Sequence, residues 1–382
     1  MIGARVTDTD VAIVGGGVAG CATALNLAQR GIPVVVLEKG MVGAQASGVN
    51  FGGVRQQGRL LPELPLARRS REIWPRLGSI IGDDCEFVPS GHLKLARDEA
   101  DCQELADYAE AARDHGLDLE LLDGGQTRRR FPWLSEAVAG ASFCAEDGQA
   151  NPRLVGPAYA RTARAAGADI REDTEVIGFA HDGERFELTT SHGQVVRAGQ
   201  MVNCAGAWGG TVAAAFGETV PLTAIAPQMV VTEPTSHFIE PAIGMCGAGI
   251  YVRQTARGNE VFGGGGGIAD TVASRSYVLP EHTLAASAVA ASLIPRLANL
   301  HIIRVWTGIE GEMADALPVI GPSLTTPGLW HAFGFSGHGF QLGPVMGHIL
   351  GELLTTGETP TPISAFHIGR FGETGPRPQQ PR

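Results

Sequence analysis

The chain has 382 residues, 44% hydrophobic and 18% charged, which excludes a disordered solvating polypeptide and leaves room for two or three folding units. Forty acidic residues against 29 basic ones give a net charge of −11, so no footprint for nucleic acid or anionic lipid is expected. Glycine, at 53 residues, is about twice its usual share of roughly 7% and has no G-X-Y period, which points to tight turns and close backbone approach to a ligand. The six cysteines, Cys21, Cys85, Cys102, Cys144, Cys204 and Cys246, form no C-x-x-C pair, so neither a metal site nor a disulfide framework is expected. No basic segment precedes the first apolar strand, and no apolar run approaches the roughly 20 residues of a membrane span. The expectation is a soluble, cytoplasmic protein.

Asp10–Val14 reads as a strand, Gly15-Gly16-Gly17-Val18-Ala19-Gly20 as a turn, Cys21–Arg30 as a helix and Val34–Leu37 as a second strand ending at Glu38. A lone G-x-G-x-x-G is weak evidence, but here a strand feeds it, a helix leaves it, and an acid follows 23 positions after Gly15. In such a dinucleotide-binding unit Gly15 makes the turn, Gly17 admits the pyrophosphate and Gly20 packs helix on strand. The helix start at Val18 and Ala19 offers N–H groups to phosphate, and Glu38, with Lys39 beside it, meets the ribose. The absence of a second fingerprint argues for FAD alone rather than FAD with a nicotinamide cofactor.

Ala44–Gly58 has a loop's composition and carries Arg55 near its end. Leu64–Leu77 and Asp98–His115 read as amphipathic helices, with two short strands over Glu86–Ala96 between them. A helix is expected over Asn151–Ala166, opened by Asn151-Pro152. Ile170–His181, Phe186–Ser191 and Val195–Ala198 read as a small antiparallel meander, and Gln200–Cys204 as a separate strand. Pro221–Arg275 alternates apolar and polar residues like a larger antiparallel sheet. Ser287–Leu293 reads as a helix, His301–Trp306 and Trp330–Phe335 as strands, Gly343–Thr355 as a helix and Gly369–Arg382 as a frayed tail.

Four blocks make the chain resemble the D-amino-acid oxidase and sarcosine oxidase group of FAD-dependent amine oxidoreductases. They are Asp10–Glu38, Val202–Trp208, Leu317–Pro322 and Gly334–Gln341. The resemblance implies a mixed α/β fold: a Rossmann-like FAD-binding domain of glutathione-reductase type (1–85, 147–217 and 318–370) with an antiparallel-sheet substrate domain (86–146 and 218–317) and a tail at 371–382. It implies oxidation of an amine by hydride transfer to flavin N5, the imine then being hydrolysed. Ser47 and Gly48 are expected at the phosphate or ribityl region, Val176 at adenine, and Ala205, Gly206 and Trp208 near the flavin. Gly337, His338, Gly339, Phe340 and Gln341 are expected at the flavin's pyrimidine end, where the helix opening near Gly339 faces charge arriving at N1 and the C2 carbonyl.

For the substrate carboxylate the resemblance points to Arg55, with Tyr251 and Arg253 as fallback donors and His338 in a positioning role. Gln341 stands where sarcosine oxidases carry a lysine, and Glu310 where glycine oxidases commonly carry an arginine clamp. The stretch Trp306–Gly311 looks like the flavin subunits of D-hydroxyproline and opine dehydrogenases, which work with separate electron-accepting subunits. The implied substrate is a small secondary or D-amino acid. A 2-hydroxy acid or glycerol phosphate, and a non-catalytic flavoprotein subunit, stand as alternatives. FAD is expected to be non-covalent, since Trp306–Gly321 holds no cysteine and Ala44–Arg55 no histidine. Slow reaction with oxygen is expected because the position of the oxygen-activating lysine of sarcosine oxidases falls on Val261, and the chain's only lysines are Lys39 and Lys94.

Overall fold

A computed structural model describes residues 6–372. The first apolar run forms the strand Val6–Val14, whose last four residues are buried. It lies parallel to Val34–Leu37 on one side and to Val195–Asn203 on the other. Buried on both faces, a parallel strand reads as a continuous apolar run rather than an alternation, and Val34–Leu37 is apolar and buried throughout. The full order of this eight-stranded sheet along its main path is Val319–Pro322, Leu329–Phe333, Val195–Asn203, Val6–Val14, Val34–Leu37 and Asp169–Arg171, with Phe186–Thr190 and Val176–His181 attached in antiparallel fashion.

Three helices bury one face of this sheet. Val18–Gln29 packs between Pro152–Ala165 and Gly339–Thr356, in a core that includes Leu25, Val155, Tyr159, Val345 and Ile349. The last helix approaches closely because Gly343, Gly347 and Gly351 form a stripe facing Val18, Ala22 and Asn26, where no Cβ would fit. A second eight-stranded sheet runs Ile302–Thr307, Gln228–Pro234, Asn259–Gly263, Tyr251–Gln254, Ala242–Met245, His92–Ala96, Gly140–Cys144 and Glu120–Asp123. The helix Pro280–Leu293 packs against it.

Several elements depart from the sequence reading. Val195–Ala198 and Gln200–Cys204 are one strand, Val195–Asn203, because it pairs in parallel with Val6–Val14 along its whole length, while its other edge meets Phe186–Thr190 in the first half and Leu329–Phe333 in the second. Ile170–His181 is two strands, broken at Asp173, which has a φ of 50°. Only His92–Ala96 forms a strand within Glu86–Ala96; Val88 makes a single bridge to Gln149. The second sheet is not wholly antiparallel: Ala242–Met245 and His92–Ala96, far apart in sequence, pair in parallel. The helix expected at Ser287–Leu293 starts at Pro280, and the C-terminal helix starts at Gly339 and keeps Pro344 in its second turn. Within the expected tail, Ile368–Phe371 forms a short helical turn, and residues beyond 372 lie outside those described.

Candidate active site

Where Val6–Val14 ends, Gly15 turns the chain at a φ of 110°, which a side chain could not adopt without meeting the Cys204 carbonyl. Gly17, Val18 and Ala19 follow on the wall of a long cavity. Gly20 does not reach that wall; it packs against the Gly15 carbonyl. At the end of the second strand, Glu38 accepts hydrogen bonds from Gly16 N at 2.6 Å and Gly40 N at 2.8 Å, so its carboxylate is held over the glycine turn. Ser47 accepts from Val18 N at 3.0 Å and lines the cavity. Gly48 is buried behind it against Gly43 rather than on the wall.

The cavity continues past Lys39 and Val176, then Ala205, Gly206 and Trp208, to Glu310, Gly337, Gly339 and Phe340. It therefore joins the glycine turn to the N-terminus of Gly339–Thr356, whose first-turn N–H groups carry the positive end of the helix dipole. Gly337, at a φ of 85°, donates its N–H to Glu310. Burial, with Glu312 nearby, pushes the Glu310 carboxyl up to about 7, against the pull of the Gly337 N–H and Arg59. The residues fit FAD: a glycine turn open to phosphate, an acid at the ribose position and a helix start at the far end, joined by one cavity.

Beside the Gly337 end lies a charged cluster of which sequence reading found only part. Arg55 is partly buried, donates from Nη1 to the Gln57 carbonyl at 2.7 Å, and has no carboxylate at salt-bridge distance among the described residues. Arg59, missed in the sequence, is 2% exposed; its Nε donates to the Arg55 carbonyl, and its Nη1 is buried without a partner. Burial, reinforced by Arg55, lowers the Arg59 guanidinium to about 9. Glu63, also missed, is fully buried and takes the His338 Nδ1–H at 2.7 Å. Burial opposes the Glu63 charge, but the His338 N–H bond, the Arg59 cation and the Leu60 N–H hold its carboxyl below the ordinary range. Burial, with Arg59, lowers His338 to about 4, so the imidazole is neutral near pH 7 and donates from Nδ1. Asp147 receives Gln56 N at 2.8 Å and Gln57 N at 3.1 Å, holding the chain that directly follows Arg55. The signal for Glu63 was available, as an acid immediately before the helix at Leu64; nothing in the sequence marked its partner across 275 positions.

The remaining candidates are placed away from the cavity. Gln341 lies on the opposite face of the last helix: it is fully buried, donates from Nε2 to the Ala67 carbonyl at 2.8 Å, and leaves Oε1 unpartnered. The helix period turns it toward Leu64–Ile73, away from the lysine-like position expected of it. Tyr251 donates to the Gln228 carbonyl at 3.2 Å and packs on Phe51. Arg253 donates to the Phe51 carbonyl and to Gln149 Oε1, and lines a second pocket with Glu86, Asn151 and Glu240. His338 sits between two wall residues but points to Glu63.

A strand–glycine–helix nucleotide cradle, continued by one cavity to a second helix start, defines a flavin-dependent oxidoreductase. Residues 10–353 match the family model for FAD-dependent oxidoreductases, and the chain belongs to that family. It is 30% identical to a glycine oxidase of Geobacillus kaustophilus over 95% of this chain and 98% of the relative, and a solved glycine oxidase structure from that species superposes with a TM-score of 0.89, at 28% identity over 95% of this chain and 99% of that one. It is also 30% identical to a sarcosine oxidase subunit beta of an Arthrobacter species, over 96% of this chain and 91% of the relative. The solved L-proline dehydrogenase of P. horikoshii superposes with a TM-score of 0.87 at 29% identity, covering 95% of this chain and 98% of that one. No helix among the described residues is long and apolar enough to cross a membrane.

Proposed function

We propose that this chain oxidises the C–N bond of a small secondary or D-amino acid, of sarcosine, glycine, D-proline or hydroxyproline type. The carrying observation is Arg55: a partly buried guanidinium, without a carboxylate partner among the described residues, beside the flavin end of the cavity. Such a group favours a bidentate carboxylate guest. The relatives named for glycine, sarcosine and proline support this substrate class.

When bound, FAD supplies the two-electron oxidising capacity. The glycine turn and Glu38 would hold its nucleotide half, and Gly337, Gly339 and Phe340 its ring. Arg55 orients the substrate by its carboxylate. The Glu63–His338 pair fixes the helix start on the wall, and Asp147 fixes the Arg55 loop. The division of strands between the two sheets supports an FAD-binding unit at 1–85, 147–217 and 318–370 and a substrate unit at 86–146 and 218–317. Six free cysteines support a cytoplasmic setting.

Anaerobic bleaching of the flavin by a panel of amino and hydroxy acids tests the reading; reduction by hydroxy acids alone would overturn it. We further read the enzyme as passing electrons to a partner subunit rather than to oxygen. Val261, at the position of the sarcosine oxidase lysine, is apolar and buried in its strand, and Arg257 is exposed beside Glu86, which supports this reading. Reoxidation of the reduced enzyme by air should be slow beside its reduction of an artificial dye. Equal rates would make it an oxidase.

A further inference from the structure

The hairpin Ile268–Asp270 and Arg275–Tyr277 belongs to neither large sheet; its two strands pair only with each other. Its base is tied to the start of the sheet strand Gln228–Pro234: Gly267 N donates to the Ala226 carbonyl at 2.6 Å, two residues before that strand, and Gln228 N donates to the Gly265 carbonyl at 3.3 Å. Its tip reaches the nucleotide side, and three side chains of the cavity wall hold it there. Lys39 Nζ donates to Ser274 Oγ at 2.8 Å, Gln45 Nε2 to the Ser274 carbonyl at 3.3 Å, and Trp208 Nε1 to the Thr271 carbonyl at 3.0 Å. Lys39 Nζ also lies 3.1 Å from the centre of the Trp208 ring, so cation and indole reinforce one another.

The tip is shaped for this contact. Ser274 adopts a φ of 53°, a conformation uncommon for a residue other than glycine, which brings its hydroxyl and carbonyl to Lys39 and Gln45. Asp270 closes the turn by accepting from Ala273 N at 2.9 Å. Val272, beside these bonds, is 98% exposed, so apolar burial does not hold the tip down. The three polar bonds do.

We propose that this hairpin is a strap across the FAD cavity, with Lys39, Gln45 and Trp208 as its catch, and that opening the catch limits release of FAD. The inference rests on reading the cavity as the FAD site. It gives Lys39 the role of a positioning residue that acts through Ser274, rather than a direct ligand of the ribose or phosphate.

The test is a double-mutant cycle on the holoenzyme with Lys39→Met, Ser274→Ala and the two combined. The readout is the rate at which free FAD appears after dilution, followed by its fluorescence. Each single variant should release FAD roughly five- to tenfold faster, the worth of one partly exposed charge-assisted hydrogen bond. The double variant should be no faster than the faster single, because both remove the same bond. Wild-type release from Ser274→Ala, or multiplicative effects in the double variant, would overturn the strap and return Lys39 to direct cofactor contact. A wild-type protein that carries no flavin and takes none up would overturn the site assignment beneath it.

Discussion

Replacing Arg55 with methionine keeps a long apolar stem while removing the guanidinium, and the structure bounds what is lost. Within the protein Arg55 gives up one recorded side-chain hydrogen bond, to the Gln57 carbonyl, and that loop stays pinned by Asp147. The folded state should therefore tolerate the change, and FAD occupancy should be unaltered. Loss of a charge-assisted pair with a largely desolvated carboxylate costs about 2–5 kcal/mol, or roughly 30- to several-thousand-fold. Arg59 remains nearby, but its free Nη1 is sealed from the cavity, so it supplies field without contact. A loss near the middle of that range, roughly 300-fold, is expected in the efficiency of anaerobic flavin reduction, measured by stopped flow at saturating FAD. A change under about threefold, against the thirtyfold floor of that range, would refute the assignment and move the anchor elsewhere.

Glu38→Arg removes the acceptor for Gly16 N and Gly40 N and sets a cation over the glycine turn. FAD should bind at least about tenfold more weakly by titration, and wild-type affinity would undo the fingerprint reading. Glu310 is raised in the folded state from its ordinary 4.5 to about 7, so the stability it contributes is full below about pH 4.5 and is lost as pH rises to about 7. Relative to Glu310→Gln, which does not titrate, flavin-free wild-type protein should lose about 2–3 kcal/mol across that window in urea unfolding; parallel profiles would show a carboxyl that titrates normally. Acid precipitation should leave all the yellow colour in the supernatant, and colour in the pellet would mean that FAD is covalently attached.

The N-terminal strand, glycine turn, helix and Glu38 were legible because their chemistry is local: a turn that needs glycine, a helix start and an acid lie within 30 residues. The strand-end motif at Asn203–Trp208 and the helix start at Gly339 were legible through resemblance, and both line the cavity. Periodicity located most helices but misjudged the strand Val195–Asn203, because a strand that changes partners midway along one edge changes its burial pattern too. Only the tertiary structure decided which way Gln341 and Arg253 face, since one helical or pleat step separates a cavity wall from a core. Only it brought Glu63 to His338, Arg59 to Arg55, and Ser274 to Lys39 across 235 positions. Sequence thus carried the nucleotide half of the site, which one supersecondary unit builds. The charged cluster and the hairpin contact draw on residues from segments far apart in the chain, and such pairings have no local spacing to read.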